Sequence, residues 1–129
     1  MRLVVSKRSE IALRALKVLS RHVGQTVPGA VLSRESGAGQ AQLSQVLSPL
    51  VGAGWVVSRT GPDGGYALAP KLRRLSVLEV VETLEGPLES GECLIAGRRC
   101  GSDDPCAFHD TWVTARASLA KSLARSSAI

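Results

Sequence analysis

The chain has 129 residues, of which 44% are apolar and 3% aromatic, so it can form a single domain with a mostly aliphatic core. It contains no apolar run of the roughly 18 residues that a membrane span needs and no apolar stretch typical of a signal peptide, and we therefore expect a cytoplasmic protein that does not enter a membrane. The net charge of +5 combines a balance of +8 in residues 1–74 with −3 in residues 75–129, and the basic first part suits a polyanion such as DNA.

Two helices are predicted before the centre of the chain. Ser6 or Ser9 can cap the first helix, which Gly24 ends, and Glu10 in its first turn complements the helix dipole. A second helix is predicted over residues 28–36, because proline is favoured at a first helical position. The inward positions of the first helix are Ile11, Ala15, Val18 and Leu19.

The central element is a third helix that begins near Gln40 and leads into a glycine-rich hairpin. Pro49 removes one backbone donor from this helix, and we expect a kink or an early loosening there. Residues 55–58 and 66–69 have the composition of strands and flank a turn signal at 62–65. The apolar face of the helix follows the spacing i, i+3, i+4 and i+7, with Leu43, Val46, Leu47 and Leu50.

Two helices joined by a glycine-containing turn and followed by a hairpin predict a winged helix-turn-helix over residues 1–74. The second helix of such a unit enters the major groove, where glutamine suits adenine. At the wing, Arg59 is expected to contact the minor groove or phosphate, with an ordinary surface position as the alternative, and Gly64 is expected to let the backbone approach phosphate. The residues expected to face the bases are Gln40, Ala41, Gln42, Ser44 and Gln45.

Residues 75–129 are predicted to form a helix, a loop and a long terminal helix. Ser76 and Glu79 form a capping box that opens the first of these helices, and Gly86 stops it. The terminal helix is predicted from about Ala107, and little chain remains to cover its apolar stripe. We therefore predict that this helix joins two copies into a homodimer, with packing on its own domain as the alternative. The stripe consists of Phe108, Trp112, Ala115, Leu119 and Leu123.

All three cysteines, Cys93, Cys100 and Cys106, lie in a loop predicted over residues 89–106, and His109 follows it. An odd number of cysteines in a chain without a secretion signal argues against a disulfide framework. Structural zinc sites normally contain a close C-x-x-C pair, and so do thiol–disulfide oxidoreductases, but this chain has no such pair. Three thiolates with one further ligand fit an iron–sulfur cluster better, and zinc binding or a thiol redox switch is the alternative.

Several stretches resemble the Rrf-type (BadM-type) winged-helix transcriptional regulators. They are the wing GPDGGY at residues 61–66, the segment LSVLEVV at 75–81 running into LEGPL at 84–88, and the three cysteines with CAFH at 106–109 leading into Trp112. The resemblance covers almost the whole chain. It implies a homodimeric bacterial regulator of transcription that is mainly α-helical, with a β-hairpin wing and a long C-terminal dimerisation helix. It further implies an iron–sulfur cluster near the dimer interface that senses redox state, nitric oxide or iron.

The same resemblance implies the cluster ligands. Cys93, Cys100 and Cys106 match the three cluster thiolates of the family. His109 lies where IscR-like members place a histidine ligand of a two-iron cluster, and Glu10 lies where NsrR-like members supply a carboxylate from the partner subunit to a four-iron cluster. We favour His109 and a [2Fe–2S] cluster over a [4Fe–4S] cluster because the link from Cys106 to His109 is short.

The chain departs from the family pattern at positions expected to contact DNA. Gln42 and Ser44 stand where members often carry an aromatic and an acidic residue, so we expect a different base preference. Thr60 stands where the usual wing arginine precedes glycine, and Arg59 comes one position earlier. No paired-carboxylate pocket, nucleophile elbow or phosphate-binding loop occurs in the sequence, and we predict that the protein is not an enzyme.

Overall fold

A computed structural model describes residues 3–95 and 97–129. Met1 and Arg2 of the predicted DNA-binding segment and Ala96 of the predicted cysteine loop lie outside the described residues. The predicted class, mainly α-helical with one antiparallel β-hairpin, is confirmed. In chain order the elements are α1 (Lys7–Ser20), α2 (Gly29–Ser36), α3 (Gln40–Gly52), β1 (Val56–Arg59), β2 (Gly65–Leu68), α4 (Val77–Glu85) and α5 (His109–Arg125).

Helix α1 supplies the centre of the core. Ser6 caps it by accepting a hydrogen bond from the Ser9 backbone N–H at 3.4 Å, as predicted. The helix ends at Ser20, earlier than the predicted end at Gly24, because the Arg21 N–H already bonds back to the Val18 carbonyl at 3.1 Å in the tighter geometry of a last turn. The predicted inward residues of α1 are all buried: Ile11, Ala15, Val18 and Leu19.

Helices α2 and α3 form the predicted helix-turn-helix against α1. Pro28 is the residue before α2 and not its first helical residue. Of the two alternatives predicted at Pro49, the early loosening of α3 is wrong, since the helix runs on to Gly52 and the Pro49 carbonyl still accepts the Ala53 N–H at 3.0 Å, and the kink stays a prediction. The apolar face of α3 is buried as predicted, with Leu43, Val46, Leu47 and Leu50 all in the core.

The hairpin is attached to the segment that precedes α2. Strands β1 and β2 pair Val56 with Leu68 and Arg59 with Gly65 at the two ends of their register. The Tyr66 backbone of β2 also forms a bridge with Val27, with N···O distances of 2.7 and 2.9 Å. Because of this bridge, the wing is held on the helix-turn-helix unit.

Helix α4 begins with the predicted capping box. The Ser76 side chain accepts the Glu79 N–H at 3.2 Å, and the Glu79 carboxylate accepts the Ser76 N–H at 2.8 Å. The chain end then returns to this point after α5: the Ala128 N–H donates to the Leu75 carbonyl at 2.8 Å, and Ala128 is buried. The C-terminal end of α5 is therefore tied to the start of α4, although the residues of α5 contribute little to the core. Over the described residues, no helix is long and apolar enough to cross a membrane.

Candidate DNA-binding surface and cysteine site

One face of α3 is available for recognition. Every residue predicted to face bases is exposed, while the remaining face of the helix is buried. The exposed residues carry amide, hydroxyl and methyl groups and no charge, so they can read base edges but cannot by themselves neutralise phosphates. These exposed residues are Gln40, Ala41, Gln42, Ser44 and Gln45.

The N-terminus of α3 is open to an anion. Gly39 is its N-cap, and no side chain among the described residues caps the helix there. The first turn carries no acidic residue, so its free N–H groups and the helix dipole favour a phosphate. The Arg14 guanidinium lies beside the preceding turn, 3.5 Å from the position that a Cβ on Gly37 would occupy. This end of α3 therefore combines backbone donors with a nearby cation.

At the wing, Arg59 is exposed at the end of β1. Gly64 closes the turn, and its N–H donates to the Gly61 carbonyl at 2.9 Å. A Cβ at Gly64 would lie 2.8 Å from that same carbonyl oxygen. The hairpin itself therefore requires glycine at this position, a reason that the sequence pattern did not indicate. Contact of Arg59 and Gly64 with DNA stays a prediction.

The cysteine loop is organised as a small hairpin. Glu92 and Arg99 form an antiparallel bridge, the Cys93 N–H donates to the Arg98 carbonyl at 3.1 Å, and the Cys100 N–H donates to the Gly91 carbonyl at 3.3 Å. Sequence patterning showed no regular structure here, since the hairpin has too few residues for apolar alternation to appear. The bridge places Cys93 and Cys100 on adjacent arms.

The three sulfur atoms converge. The Cys93 and Cys106 Sγ atoms are 3.1 Å apart, and the three Sγ atoms lie within 4.8 Å of one another. The Cys100 Sγ accepts the backbone N–H of Cys106 at 3.3 Å. All three side chains are half-buried. Such a group fits a thiophilic metal or an iron–sulfur cluster, because soft thiolates are the preferred ligands and N–H donors to sulfur stabilise their charge.

The two candidates for a fourth ligand lie in different surroundings. His109 is the first residue of α5, and its Nδ1 is 3.5 Å from the Cys100 Sγ. Glu10 lies on α1 and forms ion pairs with Lys7 at 2.8 Å and Arg14 at 2.7 Å. The hydrogen bond from Lys7, and after it the charge of Arg14, hold the pKa of Glu10 below its usual value of 4.5. Within this chain, His109 lies next to the cysteines, whereas the Glu10 carboxylate is already paired with Lys7 and Arg14.

Helix α5 also contacts the cysteine loop through residues that sequence reasoning did not assign to the site. The Trp112 indole N–H donates to the Glu92 carbonyl at 3.2 Å, and Arg116 pairs with Glu89 at 3.2 Å. In the sequence, Trp112 falls in the predicted dimerisation stripe, and Arg116 belongs to none of the predicted sites. The spacing of His109, Trp112 and Arg116 at i, i+3 and i+7 was the available signal, since it places all three on one helix face.

The fold and the site together define a winged helix-turn-helix protein with a cysteine triplet suited to metal or cluster binding. Residues 5–127 match the model of the Rrf2 family, described as an iron-dependent transcriptional regulator. The chain belongs to the Rrf2 family, and the resemblance drawn from the wing and the cysteines is confirmed.

Individual relatives agree with this assignment. The HTH-type transcriptional regulator IscR of Xenorhabdus nematophila is 31% identical over 110 residues, which cover 84% of this chain and 66% of that protein. The structure of T. potens IscR matches with a TM-score of 0.75 at 25% identity, covering 98% of this chain and 83% of that one. CymR, the global cysteine regulator of B. subtilis, has the same fold, with a TM-score of 0.81 at 23% identity over 98% of this chain and 94% of that one. The protein is a transcriptional regulator and not an enzyme.

Proposed function

We propose that the protein is a homodimeric, cytoplasmic bacterial regulator whose affinity for a double-stranded DNA operator is controlled by an iron–sulfur cluster. The observation that carries this proposal is the convergence of Cys93, Cys100 and Cys106 within 4.8 Å on a loop attached to α5. When bound, a cluster would supply a centre whose charge and integrity respond to redox state, nitric oxide or iron supply. We assign the three thiolates to Cys93, Cys100 and Cys106.

The DNA-binding part of the proposal rests on α3 and the wing. The exposed amides of Gln40, Gln42 and Gln45 suit adenine in the major groove, and Ala41 and Ser44 complete the same face. Arg59 and the exposed cations of α1 would hold phosphates or the minor groove. Their contribution is a salt-dependent attraction that is common to all DNA sequences.

The dimer is supported by the apolar surface of α5. Among the described residues of this helix, none is buried within the single chain, and Leu119 remains 44% exposed. The apolar residues Leu3, Val4 and Val5, which precede α1, are also exposed, and they share a groove with Trp112, Leu119 and Leu123 of α5. We propose that a second copy covers this groove, since an exposed apolar surface of this kind is typical of an interface.

For the fourth ligand we propose His109 and a [2Fe–2S] cluster. The Nδ1 atom of His109 already lies 3.5 Å from the Cys100 Sγ. Glu10 of the partner subunit is the alternative, with a [4Fe–4S] cluster, but the Glu10 carboxylate would have to exchange its ion pairs with Lys7 and Arg14 for iron. The iron content per subunit separates the two assignments.

Control of DNA binding would pass from the loop to the dimer helix. Loss or oxidation of the cluster would reorder residues 89–106, which contact α5 through Trp112 and Arg116. A dimer of this class reads half-sites about 34 Å apart, so a small rotation of one subunit against the other misplaces a recognition helix. Operator affinity would change without any change in the residues that touch DNA.

The test begins with anaerobic purification, followed by an absorption spectrum and by iron and acid-labile sulfide analysis. We expect a coloured protein with sulfide close to iron and with two irons per subunit. Replacement of Cys93, Cys100 and Cys106 by serine is expected to abolish the colour and the response of operator affinity to oxidant. A colourless native protein whose cysteines hold zinc, or nothing after reconstitution, would overturn the cluster proposal and leave the DNA-binding proposal standing.

A thiol switch is the second candidate, and one contact favours it. The Cys93 and Cys106 sulfur atoms, 3.1 Å apart, could be joined to a disulfide by a disulfide-type oxidant, which accepts the two electrons and two protons that the thiols release. Cys100 would remain free. Digestion both after Arg98 or Arg99 and at Asp103 or Asp104 places the three cysteines on separate peptides and allows the pair to be mapped by mass spectrometry. A switch requires that a reductant restore both the thiols and the original operator affinity.

A further inference from the structure

The side chain of Arg116 is unusually enclosed for a surface helix. Only 11% of it is exposed, whereas Glu89, its ion-pair partner at 3.2 Å, is 82% exposed. Over the described residues, Glu89 is the one carboxylate that Arg116 contacts in an ion pair. Because the Glu89 carboxylate is surrounded by water, it compensates only part of the positive charge of the enclosed Arg116 guanidinium.

The surroundings of Arg116 show where further negative charge could come from. Arg116 lines a small cavity together with Cys93, Cys100 and His109. Three thiolates around a divalent ion, or around a cluster, carry net negative charge, whereas the protonated thiols are neutral. Loading of the cysteines therefore changes the charge that faces Arg116. In this cavity the change is screened less than it would be in bulk water.

Arg116 is also connected to the loop through its neighbour. Its guanidinium carbon lies 5.9 Å from the centroid of the Trp112 ring, within range of a cation–π interaction. The indole N–H of Trp112 in turn donates to the carbonyl of Glu92, the residue before Cys93. Glu92 is bridged to Arg99, which precedes Cys100. The Arg116–Trp112 pair thus contacts the arm that carries Cys93 directly, and the arm that carries Cys100 is bridged to that contact point.

We propose that Arg116, stacked on Trp112, is the positioning residue that couples the charge held at the three cysteines to α5. When the site is negatively charged, Arg116 is drawn to it and the first turns of α5 are fixed against the loop. When the site is neutral, that attraction is absent and these turns loosen. This inference rests on the proposed function, because it names the residues through which the cysteine site would act on the dimer helix.

The experiment uses Cd²⁺ alone as the probe, because its thiolate absorption reports loading directly. Amide hydrogen exchange is followed over residues 113–116, beyond the turn that His109 would fix directly as a ligand, with and without Cd²⁺. Coupling between protein sites is typically 5–150-fold, and we expect loading to slow exchange in the native protein by roughly tenfold. In Arg116→Gln the absorption should still appear, while the loading-dependent slowing should fall to less than about twofold.

Two variants separate charge from simple packing. Glu89→Gln removes the exposed partner and is expected to keep the native response. Arg116→Lys keeps the charge and should retain most of the slowing, and it serves as the test if Arg116→Gln does not fold. A purely structural role predicts instead that Arg116→Gln exchanges faster by the same factor in both states.

The outcomes are decisive for the coupling role. It is overturned if Arg116→Gln slows as the native protein does, if native α5 shows no response to loading, or if Arg116→Lys folds and loads but does not respond. Failure of the proposed function is a different result, since operator affinity would then be equal for the loaded and metal-free native protein while α5 still responded to Cd²⁺.

Discussion

Glu85, at the end of α4, holds the start of α1 in place. Its Oε1 atom accepts the Ser6 backbone N–H at 2.8 Å and the Ser9 hydroxyl at 2.5 Å. Partial burial opposes ionisation of this carboxyl, but the hydrogen bonds from Ser9 and Ser6 outweigh it and hold the pKa of Glu85 below its usual value of 4.5. Since Ser9 is fully buried, its hydroxyl depends on this acceptor.

Because the folded-state pKa of Glu85 is lowered, the stability that its ionised carboxylate contributes is fully present at pH values above the unfolded-state pKa. It is lost as the pH falls through the folded-state value. We expect Glu85→Gln to lower the free energy of unfolding at pH 7 by about 1 kcal/mol, the usual net value of a hydrogen bond. The deficit should shrink below about pH 4.5. Urea denaturation between pH 3 and 7 measures it, with Glu35→Gln, at an exposed position of α2, as the control. A deficit that does not vary with pH would contradict this assignment.

Gly65, the first residue of β2, combines a positive φ with close packing against another segment. It has a φ of 148°, and a Cβ there would run into the backbone of Val27. Gly61 also has a positive φ, 98°, but a Cβ there would meet no atom within 4 Å. We expect Gly65→Ala to cost roughly 1–3 kcal/mol more than Gly61→Ala, because the clash adds overpacking to backbone strain. Thermal denaturation measures the loss of stability in each variant. Equal losses would mean that the Val27 backbone shifts without cost to accommodate the added methyl group.

At the scale of one element, α3 separates folding from recognition by face. The buried stripe with Leu47 and Leu50 belongs to the core, whereas the exposed residues from Gln40 to Gln45 contribute little to it. Substitutions on the exposed face should therefore leave stability unchanged. Their effect on DNA can then be interpreted without correction for unfolding.

We expect Gln42→Ala to weaken operator binding by about 1–3 kcal/mol, the value of one bidentate contact between an amide and adenine. The matched control is Ser48→Ala, also exposed but in the C-terminal half of α3 and so farther from the end that enters the groove. Fluorescence anisotropy on an operator selected from random duplexes measures both variants. Equal weakening by the two would show that α3 is not oriented with its N-terminal half on the bases.

Arg59 should behave differently from Gln42 because it would contact the DNA backbone or minor groove. Arg59→Ala is expected to weaken binding to operator and random DNA alike and to reduce the slope of log K against log salt by about 0.9 for each phosphate that is no longer neutralised. A loss of affinity confined to the operator would instead assign Arg59 to base recognition. Measurement at four salt concentrations gives the slope.

At the scale of the whole molecule, two surfaces suit two partners: the basic charge of residues 1–74 suits DNA, and the exposed apolar groove along α5 suits a second copy. We expect Leu119→Glu to convert the proposed dimer to a monomer, because a carboxylate would be buried in the proposed apolar interface without a partner. Ala117→Glu, on the opposite side of α5, should remain dimeric. Light scattering after gel filtration distinguishes the two states, and two dimers or two monomers would place the interface elsewhere.

Much of the fold was predictable because the relevant interactions are local. The apolar spacing on α1 and α3, the Ser76–Glu79 capping box and the glycine-rich wing turn each depend on residues a few positions apart. The convergence of the three cysteines was also within reach, since one short loop carries them. The early end of α1 differs from the prediction because its last turn tightens at Arg21, and α3 continues past Pro49 because packing on the core outweighs local propensity there.

The sequence by itself determined the winged helix-turn-helix class, the exposed face of α3 and the family, through periodicity and short motifs. Only the tertiary structure decided how distant segments act on each other. It tied Glu85 to Ser9, the chain end to Leu75, and Trp112 and Arg116 to the cysteine loop. Residues up to 79 positions apart that form a hydrogen bond or an ion pair cannot be recognised from local sequence patterns. The reason is that one such contact involves only two residues and does not recur along the chain.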